Sequence, residues 1–135
     1  MIKINHLIIG VSNLHASEKF YKDVLGFHFI ERFTDTGTNQ EGIVLSTKNG
    51  FDILLVLFGS ERLPSPQHIA LEVDETTFTS IYRACEKNEI FVRADPSLSS
   101  KNTGTNTFEQ SGAKWTHFYF CDPSGLNIEI LKVGG

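Results

Sequence analysis

His6-Leu7-Ile8-Ile9-Gly10-Val11 is answered further along the chain by His68-Ile69-Ala70-Leu71-Glu72-Val73. Both stretches are apolar and largely aliphatic, and both open on a histidine, so each reads as a buried strand that starts a structural unit. The same order of elements follows each strand, which makes the chain a pair of βαβββ modules. Placing two such units side by side brings the two histidines together. A carboxylate in Ile128-Glu129-Ile130 lies on a further strand where it can join them. Burying that carboxylate without a partner is costly. Two imidazoles and one carboxylate suit Fe(II), Mn(II), Zn(II) or Ni(II) and leave positions open for a substrate.

Working outward from the first repeat, residues 2–10 read as a strand, and Ser12-Asn13 caps a helix running to about Leu25. Leu14, Phe20, Tyr21, Val24 and Leu25 give that helix one apolar face, and Gly26 stops it. Strands follow at about 27–36, 41–48 and 51–58, separated by Thr36-Gly37-Thr38 and by the hairpin signal Asn49-Gly50. In the second module a strand at 67–73 leads to Asp74 as a cap. Phe78, Ile81, Tyr82 and Cys85 recur at helical spacing, and Asn88 ends the helix where a glycine is the usual residue. A short strand is expected at 90–95. Residues 96–113, rich in Ser, Thr, Asn and Gly, lack periodicity and read as an irregular segment suited to closing over a substrate. Two last strands, 114–121 and 126–133, flank the turn Asp122-Pro123-Ser124-Gly125.

The fold class is therefore α+β, with two paired βαβββ modules forming an open, curled mixed sheet. A chain of 135 residues, 40% of them hydrophobic, has the length and core of one domain (1–135), with module one at 1–60, module two at 66–135 and the junction near 59–66. Twelve basic residues are scattered among sixteen acidic ones, which argues against a nucleic-acid partner. Cys85 and Cys121 read as small buried hydrophobes in a reducing compartment. The first apolar run is broken by Asn5 and His6, so it resembles neither a signal peptide nor a membrane span. A soluble, cytoplasmic protein is expected.

The chain resembles the vicinal oxygen chelate superfamily of glyoxalase, bleomycin-resistance and dioxygenase-type proteins along nearly its whole length. Four pieces carry the resemblance: Asn5-His6-Leu7, then Phe20-Tyr21-Lys22-Asp23-Val24-Leu25-Gly26-Phe27, then His68-Ile69-Ala70-Leu71, then Phe118-Tyr119-Phe120-Cys121-Asp122-Pro123-Ser124-Gly125 followed by Glu129. The resemblance implies a cup around a divalent metal ion (Fe, Mn, Ni or Zn), a small-molecule substrate bound through vicinal oxygens, and a homodimer. The ligands it implies are His6, His68 and Glu129. Tyr119, ten residues before Glu129, falls where extradiol dioxygenases and fosfomycin-modifying thiol transferases carry a tyrosine aimed at substrate, and it suits a developing oxyanion. His117 shares its face parity and is weighed as an acid or base against a structural role. His15 and His28 have no supporting partners and read as solvated.

Departures narrow the subfamily. Some members add a glutamate on the last strand of module one, where the best register here gives Leu54, with Asp52 two residues earlier on the same face. That counts against true glyoxalase I. The fosfomycin enzymes place a threonine where this chain has Ile8, and an arginine beyond the last-strand glutamate where it has only Lys132. Two-domain dioxygenases carry a further histidine near the position of Gln110. Lys101, Lys114 and Trp115 are possible pocket residues, with the surface as the simpler reading. The leading expectation is a metal-dependent lyase, isomerase or dioxygenase. The alternative is a metal-free drug-binding protein of the bleomycin-resistance type.

Overall fold

The computed structural model describes residues 5–34, 39–48, 50–58, 68–110 and 112–134. The turn at Thr36-Gly37-Thr38, the Asn49 half of Asn49-Gly50 and the junction residues 59–66 lie outside them, apart from the Gly50 half. The chain divides into two compact units, Met1–Ser65 and Pro66–Gly135.

The first unit runs β1 (His6–Val11), α1 (Leu14–Asp23), β2 (His28–Thr34), β3 (Glu41–Ser46) and β4 (Asp52–Leu57). Its open sheet has the order β1-β4-β3-β2, with β1 parallel to β4 and the other pairs antiparallel. The second unit runs β5 (His68–Glu72), α2 (Glu75–Lys87), β6 (Asn106–Gln110), β7 (Ala113–Cys121) and β8 (Asn127–Val133), in the matching order β5-β8-β7-β6. In both, the histidine-led strand is parallel to the last strand of its unit.

Local chemistry sets the helix limits. Asn13 accepts from Ala16 N at 2.9 Å and Asp74 from Thr77 N at 2.8 Å, each satisfying an amide that the helix start leaves unpaired. Hydrogen bonds from the Thr77 side chain and backbone hold the Asp74 carboxyl below its ordinary range. Gly26, at φ 73, closes α1 with Gly26 N bonded to Lys22 O and Phe27 N to Tyr21 O. At the end of α2 the left-handed residue is Glu89, at φ 58, and Ile90 N reaches back to Cys85 O. Asn88 instead uses its side-chain amide on Ala84 O at 2.8 Å.

Each helix covers one face of its own sheet. In the first unit Phe20 and Tyr21 of α1 are buried with Ile9, Val11, Ile43, Leu45, Ile53 and Leu55, which alternate along β1, β3 and β4. In the second, Phe78 and Tyr82 meet Phe118 edge-on at 4.9 and 5.1 Å, above the fully buried Phe120, Ile128 and Ile130. Each such side chain stabilises by roughly 1.5–3 kcal/mol through the apolar area it removes from water.

The second unit corrects one expectation. No strand forms over 90–95; Arg93 alone bridges to Thr103 and Tyr119, and the strand in that part of the module is β6, inside the segment expected to be irregular. The cause lies in Arg93, which is 3% exposed. Its backbone pairs with Tyr119 in both directions (2.7 and 2.8 Å). Its guanidinium donates to the carbonyls of Pro96 (3.2 Å) and Ser97 (2.8 Å) and to Asn127 Oδ1. The chain is thus turned out of the sheet at Asp95-Pro96, where proline has no amide to give the ladder. Asp95 then ties the excursion together by accepting from Ser100 Oγ and Asn102 Nδ2, and those bonds hold its carboxyl below the usual range.

Candidate functional site

With α2 on one face of the second sheet, strand alternation puts a polar set on the other. His117, Tyr119 and Cys121 come from β7, Asn127 and Glu129 from β8, and His68 and Ala70 from β5. Register aligns them in rungs: Tyr119 opposite Glu129 opposite Ala70, and Cys121 opposite Asn127 opposite His68.

Glu129 is the centre. It is 7% exposed, and an imidazole faces each of its oxygens: His68 Nε2 lies 3.5 Å from Oε1 and His117 Nδ1 lies 2.8 Å from Oε2. The Tyr119 ring stands edge-on to His68 (6.2 Å between centroids) and to His117 (5.0 Å), while the Arg93 guanidinium lies 5.9 Å from its centroid. Burial, and after it the charge of Glu129 and a hydrogen bond to it, push the Tyr119 hydroxyl up to about 12. At neutral pH it is a protonated phenol, a donor rather than a base.

In the first unit His6 is exposed on β1, with Nδ1 2.7 Å from Asn5 Oδ1. Asp52 lies opposite His6, and Leu54 lies opposite Ile8. Leu54 therefore takes the position that Glu129, opposite Ala70, takes in the second sheet, while Asp52 matches Asn127. Among the described residues no three His, Cys, Asp or Glu side chains close around a common point. The second unit brings His68, Glu129 and Tyr119 together by itself, and His6 stands in the other unit. In kind the donors fit a divalent cation: an exposed imidazole Nε2 and a carboxylate oxygen beside it.

Other candidates separate cleanly. Lys132 points to the helix side, 2.5 Å from Glu75 and 4.7 Å from the Phe78 ring centroid, away from Glu129. Lys101 and Lys114 are exposed, Trp115 is half-buried, and His15 and His28 are exposed. Both cysteines are free thiols. Burial pushes Cys85 up to about 12 and Cys121 upward as well, so neither is a thiolate at neutral pH. Sequence reasoning left two residues outside the site. His117 had the signal, parity with Tyr119 on one strand. Arg93 had only its isolation in Phe91-Val92-Arg93-Ala94.

A family model described as the Glyoxalase/Bleomycin resistance protein/Dioxygenase superfamily matches residues 3–130. Metallothiol transferase FosB of Staphylococcus haemolyticus (strain JCSC1435) is 35% identical over 92 residues, 67% of this chain and 63% of that protein. The chain thus matches less than two thirds of the length of this curated relative. Among solved structures, the oxidase ChaP-H2 superposes with a TM-score of 0.74 at 25% identity, covering 98% of this chain and 94% of that one. The fosfomycin resistance protein FosX of Listeria monocytogenes, solved with Mn(II) and sulfate, gives a TM-score of 0.67 at 14% identity over 100% of this chain and 95% of that one.

Proposed function

The chain belongs to the glyoxalase/bleomycin resistance protein/dioxygenase superfamily, and from that premise we propose that it is a divalent-metal-dependent enzyme acting on a small substrate held through two vicinal oxygens. The observation that carries the reading is the buried Glu129 with Oε1 turned to His68 Nε2. In this reading residues 1–135 form one domain and the protein works as a cytoplasmic homodimer. His68 and Glu129 are two ligands, and His6 is the third, supplied within the chain or across the dimer. A bound Fe, Mn, Ni or Zn ion would supply Lewis acidity and a template for the two substrate oxygens.

The residues of the chain do the rest. Tyr119, kept protonated by its surroundings, donates a hydrogen bond to negative charge as it grows on a substrate oxygen. His117 hydrogen-bonds Glu129 Oε2, and His68 Nε2 faces Oε1, so one cation can be shared by His68 and the carboxylate. The reaction classes that fit are lyase, isomerase and dioxygenase. The 35% identity to FosB favours thiol transfer as a second variant. Against a phosphonate substrate, Lys132 is engaged by Glu75 on the helix side and Ile8 offers no hydroxyl.

The test is metal content of protein purified without chelator, beside Glu129→Ala handled identically. Near-stoichiometric Fe, Mn, Ni or Zn that disappears in the variant supports the enzyme. A wild type that is metal-free and cannot be loaded overturns it in favour of a drug-binding protein of the bleomycin-resistance type.

A further inference from the structure

We propose that His117 is the positioning residue that fixes Glu129 for metal capture, engaging Oε2 so that Oε1 stays turned toward His68. The purpose of this hold rests on the metal reading above; the hold itself stands on the geometry of a single sheet.

Glu129 lies opposite Tyr119 in the ladder, and His117 is one rung along, opposite Leu131. That diagonal lets the imidazole reach sideways to the carboxylate, with Nδ1 2.8 Å from Oε2. The ring has little freedom to turn away. It is 9% exposed and lies between the Phe108 ring on β6, 4.7 Å between centroids, and the Tyr119 ring on its own strand, 5.0 Å. An ionised carboxylate only accepts hydrogen bonds, so we assign the proton to Nδ1. With Oε2 taken by His117, Oε1 is the oxygen that faces His68 Nε2 at 3.5 Å and is offered to a ligand there, the Tyr119 hydroxyl being a further donor to the carboxylate. Glu129 is thereby set as a one-oxygen ligand before any cation arrives. Nothing in the sequence motif requires this: the histidine is two residues before the tyrosine, outside the ligand set, and acts only through the carboxylate.

Outer partners of metal ligands change affinity by about 10–100-fold when removed. The experiment is Co(II) titration under chelator competition, followed by the ligand-field absorption of the bound ion, on wild type, His117→Phe, His117→Gln and Glu129→Ala. His117→Phe should bind about 10–100-fold more weakly and with an altered spectrum, because the freed carboxylate can swing to use both oxygens. His117→Gln keeps an N–H donor and should recover most of the affinity and the wild-type spectrum. Wild-type affinity and spectrum in His117→Phe would overturn the proposal. A second measurement needs no metal: ¹⁵N NMR of the metal-free protein should show the His117 proton on Nδ1, giving way to mixed tautomers in Glu129→Gln. If the wild type takes up no Co(II), the metal reading fails and the nitrogen spectrum decides the hold alone. An Nδ1–H form that depends on Glu129 upholds it, and mixed tautomers in both proteins overturn it.

Discussion

Laid rung against rung, the open faces of the two sheets share a backbone and share almost no chemistry. The first reads His6, Asp52, Ser46, then Ile8, Leu54, Val44, then Gly10, Val56, Gly42. The second reads His68, Asn127, Cys121, then Ala70, Glu129, Tyr119, then Glu72, Leu131, His117. Only the leading histidine is common. Where the second sheet holds the carboxylate, the phenol and the second imidazole, the first holds leucine, valine and glycine. Even that glycine is covered: a Cβ on Gly42 would sit 2.2 Å from the Phe33 ring, which would have to turn away before a side chain could stand at the position matching His117. Chemistry in this chain is a property of a rung, not of the fold that repeats it.

The strongest way to break the comparison is Glu129→Leu, which copies the first sheet's rung into the second. Metal affinity, measured by chelator competition, should fall more than about 100-fold, since a first ligand is lost rather than an outer partner. The melting temperature should fall, because the leucine leaves the buried His117 Nδ1–H and the Tyr119 hydroxyl without their acceptor. The reverse exchange, Leu54→Glu, gives the first sheet a carboxylate diagonal to His6 and should tighten metal binding by about tenfold, read in the same titration. Loss of affinity would show that Leu54 faces packing rather than the ion.

Alkaline pH tests how far the second rung is shielded. Tyr119 and Cys85 both have folded-state values raised to about 12, from ordinary values of 10.0 and 9.0. Below the ordinary values both groups are neutral whether folded or not. As pH rises past about 9 and then 10, the unfolded chain ionises first and stability falls, until the folded values are reached. Tyr119→Phe should flatten the part of that decline above pH 10 in pH-dependent thermal melts, and a matching loss in wild type and variant would place the phenol in water. The smallest effect separates the two helix ends. Glu89→Gly at φ 58 gives α2 the left-handed glycine that α1 already has at Gly26, and should stabilise by about 1 kcal/mol in chemical denaturation.

Much of this was open to reading in the sequence, for local reasons. The repeated histidine strand, the caps Asn13 and Asp74, the apolar face Phe78-Ile81-Cys85 and the turn before β8 are each set by neighbours within a few residues. So is the adjacency of Tyr119 and Glu129, since both strands flank one short turn and parity fixes their faces. What stayed hidden depends on partners far along the chain. β6 has a single large apolar residue, Phe108, so an edge strand of Asn, Thr, Glu and Gln looked like loop. Without β6 there was nothing to pack against His117, and it read as a structural or surface histidine. The charge of Arg93 gave no hint that its partners would be carbonyls.

Arg93 also sets an order of events. Its side chain reaches Asn127, 34 residues later, so the guanidinium has no complete set of acceptors until β8 lies beside β7. Until then the charge stays hydrated, and residues 94–105 have no reason to leave the sheet along one path. Local pairing of β7 with β8 across their short turn closes quickly, whereas the distant contact must wait for it. The strand that carries Glu129 is therefore also the one that anchors the loop beside Tyr119, so the wall of the site and its central carboxylate share one support.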